Sequence, residues 1–258
     1  MGRRRLRVSG ALCAILLMSG CVSGGNWGEG ARWPSGPNLV AAAKSAATDP
    51  NTWVPLATAG VLLAADVDEK WSRDLAEDQK IFGGDAEDTS DDLRDVATGA
   101  YVLTALLAPS DYFGDKARGL SVGAATMVVD GVLTTALKEA VGRERPDGSN
   151  DKSMPSGHAS KAASRTAMAI RNLDAFDMPD WSRGLATWSL RGLALGTGLA
   201  RVEAEKHHLS DVLVGYAVGQ FVAHFMYEAF FEGEADGPQI TFAPVPGGGG
   251  AMTLTVPL

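Results

Sequence analysis

Lys138, Arg145, His158, Arg201, His207 and Asp211 fall in three short runs of the chain. In the first, Lys138 is followed seven positions later by Arg145 and then Pro146. The second is Pro155-Ser156-Gly157-His158. The third is Arg201, His207 and Asp211, with five and then three residues between them. Three cations, two imidazoles and one carboxylate suffice for phosphoryl transfer without a metal. The cations hold a phosphate dianion and stabilise its transition state. One imidazole attacks phosphorus and the other protonates the departing oxygen. His207 and Asp211, four apart, share a face if a helix has begun by His207. The carboxylate then accepts the proton of one ring nitrogen and leaves the other free to attack, as in a catalytic triad. Ser156 and Gly157 read as a helix start. The serine caps it, the glycine lets backbone approach a ligand, and the free N–H groups of the first turn face an anion. Arg143 reads as a basic helix end complementing the dipole. His208 reads as structural or surface, and His224 as a packing histidine.

Lys-x6-Arg-Pro, Pro-Ser-Gly-His and Arg-x5-His-x3-Asp, in this order, resemble the signature of the type 2 phosphatidic acid phosphatase superfamily, which also includes bacterial acid phosphatases and vanadium haloperoxidases. The match runs from Lys138 to Asp211, less than a third of the chain. There are two departures. Ala200 stands where the family has serine, so one side-chain donor is missing, and the stretch from Pro146 to Pro155 is short for the family. The resemblance implies a metal-independent phosphatase of lipid or soluble phosphate monoesters, with no cofactor and a phosphohistidine on His207. It makes His158 the general acid and Asp211 the group that orients His207. Lys138, Arg145, Ser156, Gly157 and Arg201 bind the phosphate. Two other readings use the same residues. Vanadate held by His207 would make a haloperoxidase. Binding without turnover would make a phosphate-binding envelope lipoprotein, for which both histidines are superfluous. A zinc site is disfavoured, because His207, His208 and Asp211 cluster but adjacent histidines point apart on a helix.

The formal net charge is −8. Four arginines (Arg3, Arg4, Arg5, Arg7) lie in a leader, and without them the charge is nearer −12. That excludes nucleic acid as a natural partner. The leader couples this basic stretch to an apolar run, Ala11 to Met18, too short to span a bilayer. Leu17-Met18-Ser19-Gly20-Cys21 resembles a lipoprotein cleavage site, so residues 1–20 are expected to be removed and Cys21 to carry a lipid that tethers the protein to a membrane of the cell envelope, facing the periplasm. The only cysteines are Cys13 and Cys21, which leaves no disulfide to hold the domain.

The elements that must position the six residues are helical. The expected organisation is a tether over 21–37, a helical domain over 38–234 and a C-terminal tail over 235–258. Helical patterns cover Leu39–Ala47, Trp53–Ala65, Leu93–Leu107, Lys116–Val141, His158–Leu173, Ser182–Leu199 and Ser210–Phe231, with an acidic loop from Gly83 to Asp92. Gly142 and Pro146 end the fourth of these helices. Gly215 and Gly219 allow close helix packing. The fold expected is an all-α bundle with the site between helices, plus a C-terminal β-hairpin from Gln239–Val245 and Ala251–Val256. Asp130 inside Leu120–Leu137, and Arg183 and Arg191 inside Ser182–Leu199, argue against membrane spans, so the expectation is a soluble bundle held by its lipid.

Overall fold

Caps and breakers delimit the first helices. Ser35 and Asp49 accept hydrogen bonds from Asn38 N and Asn51 N, and each is followed by proline within the first turn, where its missing N–H and fixed φ cost nothing. The computed structural model describes residues 27–78, 80–232, 239–244 and 250–255. The leader and Cys21 lie outside them. Eight α-helices follow among the described residues: α1 Gly36–Thr48, α2 Pro50–Ala64, α3 Asp68–Asp78, α4 Ala86–Leu107, α5 Phe113–Val141, α6 Gly157–Asn172, α7 Asp180–Glu203 and α8 Leu209–Tyr227. The fold is all-α. Beyond the bundle, Gln239–Pro244 and Gly250–Thr255 pair antiparallel, Gln239 opposite Thr255 and Pro244 opposite Gly250.

The acidic stretch expected as a loop over 83–92 is mostly helix. α4 starts at Ala86 and carries Glu87 and Asp88 in its first turn, where carboxylates meet the positive end of the dipole. Likewise the charged run after Ala65 forms α3, led by Asp68 and Glu69. Charge density hid both helices from a reading based on apolar periodicity.

α6 is the central helix, packed by α8, α4, α7 and α5. Its buried face is small: Ala159, Ser160, Ala162, Ala163, Ser164 and Ala169. Gly215 and Gly219 of α8 meet that face at the backbone. A methyl group on either would overlap the carbonyl oxygen of Ser156 or Ser160, so close packing here requires glycine, as expected. This fixes the starts of α6 and α8 beside each other.

One charge is buried in the middle of α5. Asp130 is fully buried and accepts from Arg165 Nη1 at 2.7 Å, from Ser164 Oγ at 2.8 Å and from the Ser160 hydroxyl. Asp130 therefore faces α6, and the opposite face of α5 is free of its charge. At the other end of the bundle, Trp27 donates from Nε1 to Asn172 Oδ1 at 3.1 Å and from its backbone N to Pro109 O at 2.9 Å. Of the expected tether, residues 27–35 are thus seated on the bundle where α5 begins and α6 and α8 end.

Arg165→Met should strand a buried carboxylate and lower stability by about 3–5 kcal/mol, whereas the double variant with Asp130→Leu should recover most of that loss. Thermal unfolding of the purified variants checks both.

Candidate active site

The three sequence runs meet at one end of the bundle, at the C-termini of α5 and α7 and the N-termini of α6 and α8. Gly142 ends α5 in the left-handed conformation (φ 58°), its N–H donating to Lys138 O at 3.0 Å. Lys138 stands in the last turn and donates from Nζ to Lys152 O at 2.7 Å. Arg145 lies in the following coil, not on an extended helix. The short loop closes on it: Arg145 N donates to Asn150 O at 3.0 Å, Nε to Asn150 Oδ1 at 3.1 Å, and Gly148 N to Arg145 O at 2.9 Å.

Ser156 caps α6, its hydroxyl accepting from Ala159 N at 3.5 Å, and its own N–H donates to Asp211 O at 2.8 Å. That bond ties the second run to the third. Gly157 sits beside the Lys138 stem, since a methyl there would lie 3.7 Å from Lys138 Cε. Arg201 ends α7 almost wholly buried, and donates from Nη1 to Ser90 Oγ at 3.2 Å. Among the described residues its Nε has no hydrogen-bond partner, a buried donor that an anion could take.

His207 is 1% exposed and lies in the turn between α7 and α8. The expectation that His207 and Asp211 share a helix face is not met, because α8 begins at Leu209. His207 Nδ1 stands 3.9 Å from Asp211 Oδ2, an electrostatic neighbour rather than a hydrogen bond. The carboxylate is otherwise engaged. Asp211 Oδ1 accepts from Arg143 Nη1 at 2.9 Å, and Oδ2 from His208 N at 2.8 Å and from the Ser153 hydroxyl. Asp211 therefore holds the turn that carries His207 and adds negative potential beside its ring.

Burial pushes the His207 pKa well below the ordinary 6.5, and the cations Lys138, Arg201 and Arg145 push it the same way, against a smaller pull from the Ser153 backbone. Neutral imidazole, the nucleophilic form, is thus favoured. His158 is less buried. Its Nε2 is 2.7 Å from Asp91 Oδ1 and 2.8 Å from Arg94 Nη1. Burial lowers its pKa first, the Asp91 hydrogen bond raises it, and Arg201 and Arg94 lower it, the net direction being down from 6.5.

Sequence reasoning left Arg143 out of the site, and the structure puts it back. Besides Asp211, Arg143 donates to Ser210 Oγ at 2.7 Å and to Asp68 Oδ2 at 2.9 Å, and Asp68 also accepts from Ser210 N at 2.9 Å. Ser153, Asp68, Asp91 and Arg94 were missed as well. Arg143 had a signal, its place two residues before Arg145. The upstream acids Asp68 and Asp91 had none, being two among 31 acidic residues. His208 is structural, as expected, through its backbone N–H.

Two concavities adjoin the cluster. One, of about 370 Å³, is lined by Arg73, Arg143, Arg145, His207 and His208. The other is an open, mostly apolar groove of about 1020 Å³ along α5, lined by Met127, Val128 and Val132 and ending at Lys138 and Gly157.

Comparison with known proteins converges on this region. The sequence profile of the PAP2 superfamily matches residues 119–234. A lipid A 1-phosphatase of Porphyromonas gingivalis is 37% identical over 123 residues, 45% of this chain and 26% of that protein. The chain thus spans about a quarter of the length of this curated relative. The crystal structure of a protein described as the first transmembrane PAP2 type phosphatidylglycerolphosphate phosphatase, from Bacillus subtilis, superposes with a TM-score of 0.53 at 19% identity, covering 68% of this chain and 92% of that one. At that identity the likeness is one of fold.

Arg143→Lys keeps the charge but cannot bridge Asp68 and Asp211 with one planar group. We expect the loss of a charged hydrogen bond to a buried carboxylate to lower stability by about 1.5–3 kcal/mol. Thermal unfolding of the variant checks this.

Proposed function

The chain belongs to the PAP2 superfamily, and from that premise we propose that it is a phosphatase of lipid phosphates working through a covalent phosphohistidine. The observation that carries the reading is the convergence of Lys138, Arg145 and Arg201 on the buried, neutral His207. In the first step a ring nitrogen of His207 bonds to phosphorus as the ester P–O bond breaks. His158 gives its proton to the departing oxygen. In the second step water bonds to phosphorus as the N–P bond breaks, and its proton returns to His158. Lys138, Arg145, Arg201 and the N–H groups opened by Ser156 and Gly157 hold the phosphoryl oxygens in both steps. The apolar groove ending at Lys138 and Gly157 suits the hydrocarbon part of a lipid whose phosphate lies among the cations.

We also propose that the bundle is embedded in a membrane of the cell envelope. α5 and the segment Leu209–Phe231 are long and apolar enough to cross one, and only 22% of the most apolar window of α5 is buried. Val128 and Val132 of α5, Leu106 and Leu107 of α4, and Leu185 and Trp188 of α7 are all exposed. Asp130, which argued against a span, is turned inward. Tyr112, Phe113 and Trp181 are exposed at the end away from the site, the placement of an interfacial aromatic belt. Trp27 is seated at that same end, opposite the site. By the positive-inside rule the basic run Arg3 to Arg7 favours the cytoplasmic side for the start of the chain, which would turn the site to the periplasm. Lipid attachment at Cys21 belongs instead to a bundle lying on one surface.

Three outcomes are expected. Radiolabelled phosphate from a lipid phosphate should be trapped on His207 during turnover, and His207→Ala should lose activity by several orders of magnitude; label on another residue would sink the mechanism. The kcat/KM profile should be a bell on the acid side of pH 6.5. His207 must be neutral, which its depressed pKa permits well into acid, and His158 must be protonated, which it ceases to be as pH rises through its lowered pKa. Asn150→Cys should be labelled by an impermeant thiol reagent from the periplasm, with no lipid on Cys21. Lipid on Cys21 would replace the embedded bundle by a tethered one.

A further inference from the structure

His158 has a carboxylate of its own, from a part of the chain that precedes the matched family region. Asp91 lies on the second turn of α4, and α4 packs along α6. Its Oδ1 sits 2.7 Å from His158 Nε2 and 2.8 Å from Arg94 Nη1, while Arg94 Nη2 is 2.8 Å from Asp95 Oδ1. Arg94 Nη1 is also 2.8 Å from His158 Nε2. A guanidinium has no lone pair to offer and only donates. Were Nε2 a bare acceptor, Arg94 would satisfy it and Asp91 would face a lone pair. With the proton on Nε2 the ring donates to Asp91, and Arg94 Nη1 donates to the same carboxylate oxygen rather than to the ring. That assignment leaves Nδ1 for the substrate.

We propose that Asp91 is the positioning residue of the general acid: it fixes His158 in the Nε2–H form, aims Nδ1 at the leaving oxygen and supports the imidazolium that must deliver the proton, while Arg94 tempers it by sharing the carboxylate. The inference rests on the phosphatase reading above and extends it to α4. In the first step the Nδ1–H bond of the imidazolium breaks as the O–H bond of the departing alcohol forms, leaving neutral His158 with Nε2–H on Asp91. In the second step Nδ1 takes a proton from the attacking water, and the imidazolium is restored beside Asp91. The carboxylate stays ionised throughout. The groups facing His158 are Asp91 and Arg94 from α4 and Arg201 from α7. Only Asp91 favours the protonated ring, so its removal and the removal of Arg94 act in opposite directions. Asp91 has 47% of its side chain exposed, so replacing it by asparagine leaves the core intact.

The test uses the full chain in detergent, with dioctanoyl phosphatidic acid and p-nitrophenyl phosphate as substrates. The first has a poor leaving group that needs its proton, and the second a good one that scarcely does. Asp91→Asn should lower kcat on the lipid about tenfold or more, and on the aryl ester much less. It should also move the alkaline limb of kcat/KM to lower pH. Arg94→Ala should move that limb to higher pH. A merely structural role predicts equal losses on both substrates and an unmoved limb, and that result overturns the proposal. If the parent hydrolyses neither substrate, the phosphatase reading fails and takes this one with it. If the parent is active and His158→Ala is impaired while both α4 variants keep the parent profile, this proposal alone fails.

Discussion

The Asp211 carboxylate is the constraint on which the site depends. It is completely buried, and a buried charge without partners is strongly destabilising. Its partners come from separate parts of the motif region: Arg143 after α5, Ser153 ahead of α6, and the backbone N–H of His208 at the start of α8. None can leave without exposing or stranding the charge. The same closure that satisfies Asp211 therefore sets Lys138, Ser156 and His207 at fixed separations. Through Arg143, Asp68 carries this closure to α3, which lies well before the first motif residue.

Partner chemistry separates the cations that build this end of the bundle from those that serve it. Arg143 and Arg165 are each bonded to a buried carboxylate. Lys138, Arg145 and Arg201 hydrogen-bond to neutral oxygens: a carbonyl, an amide and a hydroxyl. Glu87 approaches Arg201 only to 3.9 Å. Cations whose charge is not cancelled locally are poised for an external dianion, and their field adds to burial, the larger cause, in favouring neutral His207. On the phosphatase reading proposed above, one arrangement would bind the phosphate and prepare the nucleophile.

Much of this was legible in the chain. The order and spacing of the three runs picked out six side chains that the fold gathers at one end of the bundle, and Gly142, Gly215 and Gly219 announced a helix end and a close crossing. The missed helical segments share one cause. Periodicity finds helices by their apolar face, so the start of α4 read as a loop and the charged run that forms α3 carried no helix assignment. Those helices supply Asp68 and Asp91. Their carboxylates are ordinary in sequence, and only packing against α8 and α6 distinguishes them from the acids around them. The His207–Asp211 geometry failed for a local reason: the helix begins two residues later than the i, i+4 argument needed.

Asp130 removes one of the sequence arguments against the proposed membrane embedding. A charge within an apolar helix counts against a membrane span only if it faces lipid. Here Arg165, Ser160 and Ser164 on α6 absorb it, which concentrates polarity along the shared α5–α6 seam and leaves valines on the outer face. That seam leads toward Lys138 and Gly157, where the apolar groove meets the cations. A lipid phosphate approaching sideways would therefore meet hydrocarbon first and charge last. A soluble ester can reach the same cations from the polar end. On the phosphatase reading, the two classes of ester would thus differ in their path to His207 and share its chemistry.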